Sequence, residues 1–292
     1  MQFSVELPTA RADRADEFVT AEAVAEVARA AEDAGYGACF VTDHPAGDGK
    51  WLETGGHHAL DPFVALSFAA AATTRLRLLT HVYIAAYRNP FLTAKSVLSL
   101  DALSGGRLIL GTAAGYLRPE FGALGVDFDE RNDLLEETLD VIERVWEGGD
   151  VAYEGRHFRA RGVRMEPLPA DGARPTIWMG GNSIRAIHRA VERCDGWAPF
   201  RSTGIARGAK TALLDGADDL AERIDVARRH AEEIGRTHPL DICWTGAEIS
   251  GRDDVGRLEE IGVTWLAVGF GGADRRSYID RLRRFADDVI AA

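Results

Sequence analysis

The chain has 292 residues, 46% of them hydrophobic and 27% charged, the proportions of a water-soluble globular protein with a sizeable core. Forty-six acidic against 34 basic residues give a formal net charge of −12, which argues against the concentrated basic surface that nucleic-acid binding requires. No apolar run approaches the roughly 18 residues of a membrane span, and MQFSVELP lacks the basic and apolar regions of a secretory signal. The expectation is a soluble, cytoplasmic protein acting on a small molecule, with neither nucleic acid nor membrane as partner.

In chain order, short extended runs alternate with longer helical ones. Phe3–Leu7 reads as a strand, and Ala21–Ala34 as a helix with Val24, Val27, Ala28 and Ala31 on one face and Gly35 as its stop. Tyr36–Asp43 is apolar nearly throughout, as expected of a strand covered on both sides. A polar loop runs to His58, and Asp61-Pro62 then caps a helix over Phe63–Thr73. Leu76–Ile84 is the third strand, Phe91–Leu103 a helix capped by Asn89-Pro90, and Arg107–Gly111 the fourth strand. Asn132–Glu147 is an amphipathic helix. Val151–Val163 reads as a hairpin turning at Glu154-Gly155, an excursion near 150–165 outside the main alternation.

Pro175–Gly181 is strand five, leading into a helix with Ile184, Ile187 and Val191 inward. Asp195–Ala198 is strand six, and a Gly- and Arg-bearing loop insertion follows near 200–216. Helix Ala217–Ile234, strand Leu240–Ile249, helix Asp253–Ile261, strand Val263–Phe270 and helix Arg276–Ile290 complete the chain. This count predicts an α/β fold, a single (β/α)8 TIM barrel spanning 1–292. Strand order is not written in periodicity, so a doubly wound open sheet fits the same alternation. Cys39, Cys194 and Cys243 are far apart and form no CxxC pair, which reads as core filler rather than a disulfide framework or zinc site.

In a barrel, chemistry belongs at the C-terminal strand ends. Asp43-His44 closes strand two, where a carboxylate beside an imidazole suits proton transfer; an Asx turn with an exposed histidine is the plain alternative. His57, His58 and His44 lack the HxH or carboxylate patterns of a barrel metal site, so no metal is expected. Gly111–Tyr116, containing Ala113 and Gly115, is glycine-rich without being a dinucleotide fingerprint; it suggests a flat ligand close to backbone. Gly180-Gly181-Asn182-Ser183 runs into a helix, where free amides and the helix dipole favour an anion, though Ser183 as an N-cap explains the same pattern. Arg201, Arg207 and Lys210 lie in the loop after strand six, as a lid or as a solvated surface loop. Trp51, Tyr83, Tyr87 and Tyr116 are candidates for a planar pocket, or for packing.

Taken together, TDHP (Thr42–Pro45), LDPFVALSFAAAAT (Leu60–Thr73), YRNPFLTAK (Tyr87–Lys95), SGGRLILG (Ser104–Gly111), GYLRPEFGALGVDFDER (Gly115–Arg131) and IWMGGNS (Ile177–Ser183) resemble the luciferase-like monooxygenase superfamily. More narrowly they resemble its actinobacterial coenzyme F420-dependent oxidoreductases. The match runs from the first strand to about Trp197 and continues in GVTWLAV (Gly262–Val268). The resemblance implies a (β/α)8 barrel with insertions and hydride transfer between C5 of coenzyme F420 and a small organic substrate. By that likeness His44 and Asp43 are catalytic. His44 would handle the proton and Asp43 would hold the histidine or the ring edge. A non-proline cis peptide at His81–Val82 would back the ring, with Ala113, Gly115 and Tyr116 lining it, and Gly180, Gly181, Asn182 and Ser183 would hold the cofactor phosphate. Trp51, His57 and His58 would shape the substrate pocket, and a homodimer is implied. Two departures stand out: Ala113 replaces a common glycine, and the anion-binding lysines and arginines of the sugar-phosphate dehydrogenase branch have no clear counterparts. The competing readings are an FMN-dependent monooxygenase on the same scaffold, a flavin- or deazaflavin-binding protein without turnover, and a metal hydrolase.

Overall fold

Alternation in the first strand sets the pattern for the molecule. In β1 (Gln2–Glu6), Phe3 and Val5 join the apolar layer beneath the helices, while Glu6 reaches a central cavity. The computed structural model describes residues 1–202 and 212–291. After the short α1 (Ala15–Phe18), α2 (Ala21–Asp33) is capped by Thr20, whose side chain accepts from the Ala23 amide. Strand β2 (Ala38–Val41) leads through α3 (Gly49–Glu53), which lies within the predicted polar loop, to α4 (Pro62–Ala72). Asp61 caps α4 with Pro62 in the first turn. Strands β3 (Arg77–Thr80) and β4 (Tyr83–Ile84) precede α5 (Pro90–Ser104), β5 (Leu108–Ala113), α6 (Arg118–Ala123) and α7 (Arg131–Trp146).

The predicted hairpin is present as the antiparallel pair β6 (Val151–Glu154) and β7 (Arg159–Val163). The barrel then resumes with β8 (Thr176–Gly180), α8 (Ile184–Arg193) and β9 (Gly196–Ala198). It finishes with α9 (Ala217–Glu233), β10 (Asp241–Thr245), α10 (Arg252–Ile261), β11 (Trp265–Val268) and α11 (Arg275–Phe285). Residues 203–211 of the loop insertion, with Arg207 and Lys210, lie outside the described residues.

All strand pairs of the main sheet are parallel, and β1–β11 and β3–β5 pairing close it into an eight-stranded barrel. Closure removes the open-sheet alternative. Inside, Phe40, Leu79, Ile109, Trp178, Cys243 and Trp265 form a plug, with the Trp178 and Trp265 rings edge-to-face at 5.2 Å. Gly196 makes room for it, since a Cβ there would meet the Trp178 indole at 2.4 Å. Two residues further along several strands the inward row becomes a cavity lining: Thr42, His81, Gly180, Thr245 and Ala267. The three cysteines are buried free thiols, each raised by burial. No described helix is long and apolar enough to cross a membrane.

Two sequence expectations need correction here. The third strand does not run unbroken from Leu76 to Ile84: β3 ends at Thr80, the His81–Val82 peptide is cis, and β4 resumes beyond it against Thr112 and Ala113 of β5. Ile184 does not face inward; it is 41% exposed, because the buried stripe of α8 is Ala186, Ile187, Ala190 and Val191.

Candidate active site

At the C-terminal end of the barrel lies a cavity of about 900 Å³. It is lined by Asp43, His44, His57, His81, Val82, Ala113, Gly115, Tyr116 and the Gly180–Ser183 turn, so most of the predicted residues do come together. Its walls also include Glu6, Arg131 and Arg185.

His44 leaves β2 and is held by a residue from beyond β5. Its Nδ1 lies 3.1 Å from Oε2 of Glu120 on α6, a fully buried carboxylate. Glu120 also accepts from the Tyr87 hydroxyl at 2.7 Å and from the Ala46 amide at 3.2 Å. Burial alone would raise its pKa, but the hydrogen bonds from His44, Tyr87 and Ala46 outweigh it and hold the carboxyl below its ordinary value. An ionised Glu120 fixes the imidazole proton on Nδ1, which leaves Nε2 as the unprotonated nitrogen of neutral His44. The Trp51 ring packs on His44 at 4.3 Å, and the His57 ring meets it edge-on at 4.9 Å.

Asp43 lines the cavity, but its hydrogen bonds are made elsewhere than to His44. Arg88 donates to both of its oxygens, at 2.6 and 2.9 Å, and the Ile84 amide donates at 2.9 Å. The carboxylate is buried and hydrogen-bonded through both oxygens, so it anchors the chain beyond the cis peptide, and among the described residues it makes no hydrogen bond to His44. Arg88 in turn stacks over the Tyr83 ring at 4.4 Å. The Asp43 pairing outweighs the effect of burial and raises the guanidinium above its ordinary value.

The other histidines divide. His81 pairs through Nε2 with Thr245 Oγ1 at 2.6 Å, and His57 with Thr42 Oγ1 at 3.0 Å. Burial lowers both to about 4, so both are neutral at pH 7. His58 is exposed and is absent from the cavity wall; Trp51 lies behind His44 rather than on the wall. Trp51 thus backs the wall through His44 and His57, and His58 does not reach it. Tyr116 lines it, its phenol pushed up to about 12 by burial and by Glu120. Gly115 also lines it, but packing dictates that glycine: φ is +85°, and a Cβ would meet Ile84 at 2.7 Å and Phe121 at 3.0 Å. Gly111 likewise answers to strand packing, because a Cβ would strike the Thr80 carbonyl.

Opposite His44, β8 turns into α8. Gly181 holds φ +116°, and Ser183 caps the helix by accepting from the Ala186 amide at 3.2 Å while its carbonyl accepts from Ile187 at 3.0 Å. Among the described residues the Ile184 and Arg185 amides keep no such partner, so the helix start presents donors to an anion. Arg185 and Arg131 flank it on the cavity wall. Asn182 is spent differently: it is fully buried, donates to the Phe200 carbonyl at 2.8 Å and accepts from the Phe200 amide at 3.1 Å. Its side chain ties the turn to the segment after β9 and is not free for a ligand.

Sequence reasoning missed three groups: Glu120, Arg88 and Glu6. Glu120 and Arg88 sit inside motifs quoted above, but their partners are 76 and 45 residues distant. Glu6 carries no ion pair among the described residues, and burial raises its carboxyl. A charged residue continuing the polar, inward phase of β1 after Gln2 and Ser4 was the available signal. Among the described residues, three converging metal-ligating donors occur at His188, Glu192 and His230, away from His44 and His57.

Residues 1–284 match the luciferase-like monooxygenase family model. The chain belongs to this family. It is 30% identical over 287 residues to an uncharacterised protein of Mycobacterium tuberculosis, covering 91% of this chain and 93% of that one. In fold it is similar to the FMN-bound oxygenating constituent of 3,6-diketocamphane monooxygenase from Pseudomonas putida (TM-score 0.78, 16% identity, 99% and 98% coverage). It is also similar to the coenzyme F420-dependent tetrahydromethanopterin reductase of Methanopyrus kandleri (TM-score 0.75, 18% identity, 99% and 98% coverage). The luciferase-like oxidoreductase class thus spans both flavin and deazaflavin enzymes on this scaffold.

Proposed function

We propose that this luciferase-like protein is a coenzyme F420-dependent oxidoreductase that exchanges a hydride with a small organic substrate. The observation that carries the reading is the imidazole of His44, set on the cavity wall with Nδ1 held by buried Glu120. The cavity suits a ring with a phosphate at one end: its wall is small at Gly180, Ala198, Ala267 and Gly269, and α8 presents amide donors beside Arg131 and Arg185. Deazaflavin, when bound, supplies two-electron hydride chemistry with little reactivity toward oxygen. The protein then has one proton to manage. In the oxidative direction His44 Nε2 takes the proton of a substrate hydroxyl as hydride leaves the adjoining carbon; in the reductive direction the imidazolium returns it. Glu120 steadies the imidazolium electrostatically. Val82 and Ala113 would back the ring, and the Ile184 and Arg185 amides at the start of α8 would hold the phosphate.

A second reading, an FMN-dependent monooxygenase, draws on the P. putida neighbour, whose structure contains FMN. Assays of oxidised F420 with alcohols and of reduced F420 with enones, run beside reduced FMN with oxygen, separate the two. Turnover only with F420 supports the first, and oxygenation with FMN replaces it. The same proposal includes a homodimer. Val64 (58% exposed) and Phe68 (46%) share a face of α4, and Leu92 (69%) lies on neighbouring α5. Sedimentation is expected to give a dimer, and Phe68→Glu a monomer.

A further inference from the structure

We propose that a second site, remote from the cavity, binds a divalent transition-metal ion of the zinc class between α8 and α9. His188 and Glu192 are one turn apart on α8 and share a face, and His230 meets them from α9. One donor atom from each of the three lies within 4.8 Å of the others. The imidazoles of His188 and His230 stack at 3.9 Å with their planes 14° apart. Glu192 Oε1 accepts from His230 Nε2 at 2.7 Å, and Glu233 Oε2 lies 3.4 Å from His230 Nδ1.

Two features distinguish this group from an ordinary surface ion pair. His188 makes no hydrogen bond among the described residues, so one imidazole is a ligand without a competing partner. The donor set, two imidazoles and a carboxylate, is the mixed nitrogen–oxygen set that zinc and its neighbours favour, and Glu233 at His230 Nδ1 is placed to orient the ring from behind. A tetrahedral ion with bonds of about 2.0–2.1 Å places its donors about 3.3 Å apart. The helices pack against one another already, so the rings need only turn out of their stack and the carboxylate draw inward. Glu192 is 48% exposed at the side chain, which leaves an entry path. The bound ion would clip α9 to α8, the helix whose start faces the cavity.

The test is a titration of the metal-free full chain with Co²⁺, following its visible absorption, and with Zn²⁺ in competition. One equivalent of Co²⁺ with the absorption of a low-coordinate nitrogen–oxygen site, displaced by Zn²⁺, is expected. Losing a ligand should cost more than the roughly 10–100-fold typical of outer-shell partners. His188→Ala and His230→Ala are therefore each expected to weaken Co²⁺ binding by about 100-fold or more, and Glu192→Gln by less. His238→Ala, an exposed histidine outside the group, should leave binding unchanged. Circular dichroism checks that each variant is folded, and Glu192→Gln, which keeps shape, carries the test if a histidine variant is not. Absent or octahedral all-water cobalt spectra, or binding indifferent to His188→Ala and Glu192→Gln, would overturn the site.

Discussion

The two ends of the cavity are built by opposite means. At the β8–α8 end the working parts are contiguous: Gly181 supplies the turn, Ser183 the cap, and the next two amides the open donors. At the β2–β3 end nothing works within its own segment. His44 depends on Glu120 from α6, and Asp43 depends on Arg88 from beyond β4. An anion site needs only backbone amides and a dipole, which a helix start provides wherever it occurs. A proton site needs a particular nitrogen left free, which requires a charged partner buried at a fixed distance. The first kind is written in local sequence; the second emerges only when the barrel closes.

Substitutions should expose that difference, beginning with the strongest. His44→Ala is expected to lower turnover by about 10²–10⁴-fold, the usual worth of a general acid–base, while cofactor affinity changes little. Equal losses in both would mean that His44 binds rather than transfers protons. Asp43→Asn leaves Arg88 half-buried with only the longer, 3.5 Å pair to Asp61, and should cost about 3 kcal/mol of stability by urea unfolding, with cofactor binding lost only as the fold is. A catalytic Asp43 would instead lose turnover with stability intact. Glu120→Gln keeps the shape but not the charge, and turnover is expected to fall by about 10–100-fold because the imidazolium loses its counter-charge.

Because the folded protein holds Glu120 below its ordinary pKa, its contribution to stability is present above the ordinary carboxylate range and is lost as pH falls through the depressed value. Glu120→Gln should flatten that part of the acid unfolding curve. His57 and His81, lowered to about 4, act in the same direction over a higher window: their contribution is full above about pH 6.5 and fades as pH drops toward 4. Denaturant titrations from pH 7 down to about pH 2 measure both, and a stability that rose on acidification would contradict them. The smallest effect belongs to the other end: Ser183→Ala should cost about 1 kcal/mol as a lost cap and weaken cofactor phosphate binding only a few-fold.

The same contrast explains what the sequence made legible. Asp61-Pro62, Asn89-Pro90 and Ser183 located helix starts correctly because a cap acts on amides two or three residues away. Strand phase was readable because alternation is local, although the break at His81–Val82 entered only through family likeness. The use of the Asn182 side chain was not legible, because its position within a glycine turn says nothing of the Phe200 backbone that consumes its amide. His58 was misread because adjacency to His57 does not put both side chains on one face. Glu120 and Glu6 were passed over for a common reason: a carboxylate in a chain with 46 of them carries no signal until burial singles it out.

The most direct test of the account is an equilibrium titration of cofactor-free protein with F420 and, separately, with FMN, following the fluorescence of Trp51 and the remaining tryptophans. Tight F420 binding beside weak FMN binding is the expected result, with Ser183→Ala shifting the F420 curve and His44→Ala leaving it in place. A clear preference for FMN would contradict the deazaflavin reading, and with it the assignment of His44 as the group that exchanges the substrate proton.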